Sequence, residues 1–205
     1  HGQGAVAGTV NVMTKSAEVG EQNRVDALAS LGRYGTYQLG LGAGGALSDN
    51  TWYRFDVSQR ESYGYVDRMD PSSLNTTGSL LWMASDTLAI KLIFDHLSDE
   101  LADYWGTPLV PTAAARSPMN NVISTRTGET LDSAMQGLNY NVTDSRAESS
   151  QLFLRGDITW RPAENVTLKN TIYGFDADRE WLNAEGYVYC TEVVDVCREI
   201  GEVQR

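Results

Sequence analysis

Between about residues 24 and 175 the chain repeatedly places apolar side chains at every second position. Leu88, Ile90, Leu92 and Phe94 alternate with Thr87, Ala89, Lys91 and Asp95, and Ile93 is the one large apolar residue on the polar side. Period two puts alternate side chains on opposite faces of an extended strand, whereas a helix needs a period of about 3.6. Tyr53, Phe55 and Val57 against Arg54, Asp56 and Ser58 repeat the pattern. So do Leu152, Leu154, Ile158 and Trp160 against Arg155, Asp157 and Thr159. With further strands over 24–32, 37–47, 75–83 and 166–175, seven strands are predicted.

The connections sort these strands into a meander. Ser48-Asp49-Asn50, Ser85-Asp86 and Arg161-Pro162-Ala163-Glu164-Asn165 are short and would all lie at one end. Residues 59–74 and 97–150 form longer connectors at the other end, where Arg33-Tyr34-Gly35 is the short exception. Pro71, Pro108, Pro111, Pro118 and Pro162 all fall in these connectors, as strands that must donate ladder hydrogen bonds require. Strands of about 9 to 11 residues with turns at one end and loops at the other describe an outer-membrane barrel, in which lipid and lumen explain the two faces. The fold expected is therefore all-β, an antiparallel up-and-down meander forming part of a transmembrane β-barrel. Leu88, Ile90, Leu92 and Phe94 are expected to face lipid, and Lys91 and Asp95 the lumen. A soluble β-sandwich remains the alternative, although its strands would usually be shorter.

Composition narrows the function. With 16 basic and 27 acidic residues the formal charge is −11, which disfavours a nucleic-acid partner because phosphate binding relies on clustered Lys and Arg. No stretch approaches the roughly 18 to 20 apolar residues of a membrane helix. His1 is not an initiator Met and no signal-like segment follows it, so sequence is expected to precede it. Cys190 and Cys197 have a spacing compatible with one small loop disulfide in an oxidising compartment, with two free thiols as the alternative.

No catalytic constellation can be drawn. Gly40-x-Gly42-x-x-Gly45 imitates a dinucleotide loop but runs into the turn Ser48-Asp49-Asn50 instead of a helix, and Gly2-x-Gly4-x-x-Ala7 runs into Thr9-Val10-Asn11-Val12. Close backbone approach is the better account of glycines inside a strand. The two histidines, His1 and His96, make no paired zinc motif, and the acids Asp95, Asp99, Glu100 and Asp103 read as a solvated rim.

The segment Gly2-Gln3-Gly4-Ala5-Val6-Ala7-Gly8-Thr9-Val10-Asn11-Val12-Met13-Thr14-Lys15 resembles the end of the plug domain in TonB-dependent receptors, where small residues lead into a short strand closed by Thr-Lys. Arg24-Val25-Asp26-Ala27, the stretches 35–40 and 44–49, Tyr53 to Ser58, Gly64-Tyr65-Val66-Asp67 and Asp103 to Pro108 follow as in that family, in its ferric-siderophore branch. The resemblance implies a plug end over 1–18 and the N-terminal portion of the barrel over 19–205. It implies an outer-membrane receptor that takes up a ferric siderophore with energy from the TonB complex, without bond chemistry and without a cofactor. The energy-coupling box, most of the plug and the last barrel strand are not in this sequence. Seven strands also fall short of the roughly 22 of plugged transporters.

In such a receptor aromatic groups can contact the chelator body and Arg its anionic oxygens. Tyr63, Tyr65, Arg68, Tyr104 and Trp105 are the expected mouth residues, with girdle and loop packing as their ordinary alternative. A passive porin-like or adhesin barrel and a soluble secreted carbohydrate-binding β-domain are the rival functions.

Overall fold

The structure, a computed structural model, describes residues 14–101, 104, 110–111, 122–124, 129–132, 137–139 and 141–183. Among them are ten strands and no helix: β1 Arg24–Leu31, β2 Tyr37–Ser48, β3 Thr51–Glu61, β4 Ser72–Ser85, β5 Leu88–Leu101, β6 Val110–Pro111, β7 Val122–Ser124, β8 Glu129–Asp132, β9 Arg146–Ala163 and β10 Val166–Leu182. Seven form one antiparallel sheet in the order β1-β2-β3-β4-β5-β9-β10, with β1 and β10 at its edges, and β6-β8-β7 form a small second sheet. The seven-stranded meander is the architecture that the period-two pattern predicts.

Register fixes which side chains share a face. The pairs Phe55 with Gly78, Gly78 with Phe94, Phe94 with Leu154 and Leu154 with Gly174 place these residues in one row across the sheet. The next row toward the short turns holds Tyr53, Leu80, Leu92, Gly156 and Ile172. The opposite face carries Asp26, Gly42, Asp56, Thr77, Asp95, Phe153 and Phe175 in one row. Leu88, Ile90, Leu92 and Phe94 therefore lie together on an apolar face, and Lys91 and Asp95 lie on a polar one.

This sheet has almost no interior. The buried apolar residues among those described are Ala17, Trp52, Val66 and Ala147, whereas Leu41, Phe55, Leu80, Trp82, Leu92, Leu154, Trp160 and Ile172 on the apolar face are all exposed. A continuous exposed apolar face of this extent is what a water-soluble domain avoids. On that face Phe94 lies over Gly78, where a Cβ would strike its ring, and Phe94 stands 6.3 Å from the Phe55 ring.

The strands run further than their apolar pattern. Ser98, Asp99 and Glu100 of β5 pair with Ser150, Ser149 and Glu148 of β9, and Glu148 pairs with Glu180 of β10. Residues 97–101 and 146–150 are thus ladder and not connector, and the remaining stretch carries β6, β7 and β8. Polar side chains on both faces hide such strand from a search for alternation, because the backbone ladder needs no apolar face. Two prolines also lie in strands instead of connectors. Pro111 is in β6, and Pro162 is in β9 beyond Trp160, where the β5 ladder ends, and beside a register shift opposite Val166 and Leu168. There its missing N–H removes little pairing.

Candidate functional site

The long-connector end of the sheet gathers aromatic groups. The β1–β2 turn has positive φ at both Tyr34 (58°) and Gly35 (64°), the signature of a tight type I′ hairpin, and Thr36 N–H donates to Arg33 O at 3.1 Å. The Tyr63 ring covers Gly35 so closely that a Cβ there would collide with it. Tyr63 N–H donates to Tyr34 O at 2.9 Å, and Thr36 and Ser62 join their hydroxyls at 2.7 Å. The 62–71 connector is thereby tied to the hairpin beside it.

Tyr65 stands between two rings. Its centroid is 6.4 Å from that of Tyr34 and 6.1 Å from that of Tyr104, the latter edge to face. Tyr63 and Tyr65 are 74% and 59% exposed, so these rings offer surface to a ligand. Arg68 is placed differently from what an anion-binding role alone requires. Its Nη1 donates to Val142 O at 3.3 Å, and its Nη2 donates to Asn139 O at 2.6 Å and Asn141 O at 3.1 Å. Tyr63, Tyr65, Arg68 and Tyr104 are therefore brought to one end of the sheet, whereas Trp105 lies outside the described residues, as do Cys190 and Cys197. Tyr34 belongs to the same cluster. Its only signal in the sequence is a Tyr-Gly pair between two strands.

A second concentration of interactions lies on the polar face. The segment 14–21, ahead of β1, lies against that face: Ala17 N–H donates to Ser79 Oγ at 2.7 Å and Lys91 Nζ donates to Ser16 Oγ at 2.7 Å. Lys15 approaches Asp56 at 3.8 Å. Beside them Arg54, 1% exposed, lies between Asp56 at 2.5 Å and Asp26 at 2.8 Å, and Arg24 reaches Asp26 at 3.6 Å and Glu21 at 3.4 Å. Three cations face three carboxylates here once Lys15 is counted, so the cluster is balanced and acts as a brace.

The β2 glycines make room for it. A Cβ on Gly42 would meet the Asp56 carboxylate and stand 2.6 Å from Arg54 Nη2, and one on Gly44 would stand 3.0 Å from Arg54 Cδ. Of the glycines in the nucleotide-like spacing, Gly42 thus serves close approach of a guanidinium to the strand, and Gly45 close approach of Asn23. Between the 14–21 segment and β4, β5, β9 and β10 lies a cavity of about 470 Å³ that includes Ala17, Leu81, Lys91, Arg155, Asp157 and Thr171 in its lining.

No protein-family model matches this chain, and no curated protein matches it. Among the solved structures, the ferric-catecholate import receptor Fiu of Escherichia coli K12, in its open form, is similar over 83% of this chain with a TM-score of 0.62 and 17% identity. The match fixes the fold. At that identity it shows that the meander is built like part of a receptor β-barrel, and it shows nothing finer. The aligned region is 25% of the receptor chain, so this chain spans about a quarter of the length of that neighbour.

Proposed function

We propose that the chain is part of a TonB-dependent outer-membrane receptor that takes up a ferric siderophore of the catecholate kind. Residues 1–18 are then the end of the plug and residues 19–205 the N-terminal portion of the barrel. The observation that carries this reading is the division of the sheet. One face is exposed and apolar from Leu41 to Ile172, and the other is polar and holds a preceding segment through Ser16, Ala17 and Lys15. A lipid-facing wall with a plugged lumen accounts for both faces at once.

Trp82 and Trp160, on the apolar face near the short turns, suit an interfacial aromatic girdle at the periplasmic edge. The tyrosine cluster then lies at the extracellular mouth, where Tyr63, Tyr65 and Tyr104, with Trp105, would contact the chelator rings. TonB would act through sequence upstream of His1. A porin-like or adhesin barrel would give no reason for Ser79 and Lys91 to hold the 14–21 segment. A soluble carbohydrate-binding domain would leave the apolar face unexplained.

The test is iron delivery. Cells in which the full-length protein is the sole catecholate receptor should accumulate labelled iron from ferric tris(2,3-dihydroxybenzoate), and should stop when either the receptor or TonB is removed. Equal accumulation without TonB would support a passive pore. No accumulation in any of these cells, with the receptor present in the outer membrane, would overturn catecholate uptake.

A further inference from the structure

We infer that Arg68 is a positioning residue that locks two connectors into one body and so presents the Tyr65–Tyr104 pair at the mouth. This rests on the uptake reading for its consequence, but its geometry stands independently. The Arg68 guanidinium reaches three main-chain carbonyls of a segment more than seventy residues away, at Asn139, Asn141 and Val142. The planar fork of arginine can serve several oxygens at once in a way that a lysine ammonium on a flexible stem cannot.

The surrounding contacts point the same way. Asp67 N–H donates to Gly137 O at 2.8 Å, so consecutive residues of the 62–71 connector grip the same segment. Val66, between Tyr65 and Asp67, is 2% exposed in a connector that is otherwise largely at the surface. Arg68 and Asp70 both take positive φ, 59° and 29°, a backbone uncommon for residues other than glycine. On its other flank the connector is fastened to the β1–β2 hairpin through Tyr63 and Ser62. Tyr65 lies between these two fastenings, so its place relative to Tyr34 and Tyr104 is set by both.

Three of the five guanidinium N–H donors of Arg68 are spent on these carbonyls, and the contribution to binding inferred for it passes through the rings that the connector carries.

Hydrogen exchange and binding on the full-length receptor in detergent test this together. Arg68→Ala should raise amide exchange over residues 137–145 while exchange in β3 and β4 stays as in the parent. It should weaken binding of ferric tris(2,3-dihydroxybenzoate) about tenfold, the order expected for losing a charge-assisted carbonyl clamp at a partly exposed site. In the Tyr65→Ala background the same change should cost little more, because a residue acting through Tyr65 has nothing left to position. Arg68→Lys should recover only part of the exchange protection. Unchanged exchange over 137–145 in Arg68→Ala would overturn the clamp. Fully additive binding losses in the double variant would overturn positioning in favour of direct contact. A parent receptor that does not bind the chelate would refute the catecholate reading, and the exchange result would still decide the clamp.

Discussion

Gly42 is a position in the described sheet where one added methyl group is felt through a charged cluster. Its missing side chain leaves the space into which Asp56 and the Arg54 guanidinium fit, and Arg54 in turn reaches Asp26 on β1. Gly42→Val should therefore lower the stability of the folded protein by about 1 to 3 kcal/mol, the usual cost of forcing volume into a filled site. Gly156, on β9 between β5 and β10, is the control, because a Cβ there would meet only Leu92 Cδ2 at 3.7 Å, an ordinary contact, and Gly156→Ala should change stability by less than about 0.5 kcal/mol. Urea midpoints of the full-length protein refolded in lipid would show the difference, and equal midpoints would remove the close-packing role of Gly42. That a glycine in this strand signals close approach was legible in the sequence. That the approaching group is Arg54 was not, because the register between β2 and β3 decides which side chain lies over which glycine.

Single strands show where alternation is informative and where it fails. In β9 the apolar set Leu152, Leu154, Ile158 and Trp160 marks one face, and Phe153, Arg155, Asp157 and Thr159 the other. The first stretch of the same strand, Arg146 to Ser150, has no such contrast, and the backbone ladder to β5 and β10 is joined there by an ion pair of Arg146 with Glu180 of β10. The faces can be tested by an identical charge at neighbouring positions. Leu154→Arg should cost about 2 to 4 kcal/mol if that side chain lies near the bilayer midplane. Phe153→Arg should cost roughly 1 kcal/mol, for the lost ring contact with Tyr173, because Asp95 stands directly opposite to receive the charge. The readout is again the unfolding midpoint in lipid, and a Phe153→Arg loss as large as that of Leu154→Arg would contradict the assignment. The mouth was legible only as residue types. Tyr63, Tyr65, Arg68 and Tyr104 stand in the sequence as aromatic and cationic groups in connectors. The carbonyl contacts of Arg68 depend on a segment more than seventy residues away, and no local pattern reports such a meeting.

The whole molecule presents a sheet with two unlike faces, and in the proposed receptor one meets lipid while the other lines a lumen that holds the 14–21 segment. Sequence supplied the faces through Lys91 and its neighbours, and the structure added that Lys91 reaches Ser16 while Ser79 accepts from Ala17. A one-residue slip of β5 would exchange its two faces, so adjacent positions report the arrangement with the largest contrast. The direct measurement is the accessibility of spin labels placed singly at Ile90 and Lys91 in the full-length protein, reconstituted in lipid with Cys190 and Cys197 changed to Ser. The label at 90 should relax strongly with oxygen and weakly with a water-soluble nickel chelate, and the label at 91 should do the reverse or be shielded from both by the 14–21 segment. Strong and equal relaxation of both labels by the aqueous reagent would contradict a membrane-spanning sheet and with it the receptor assignment.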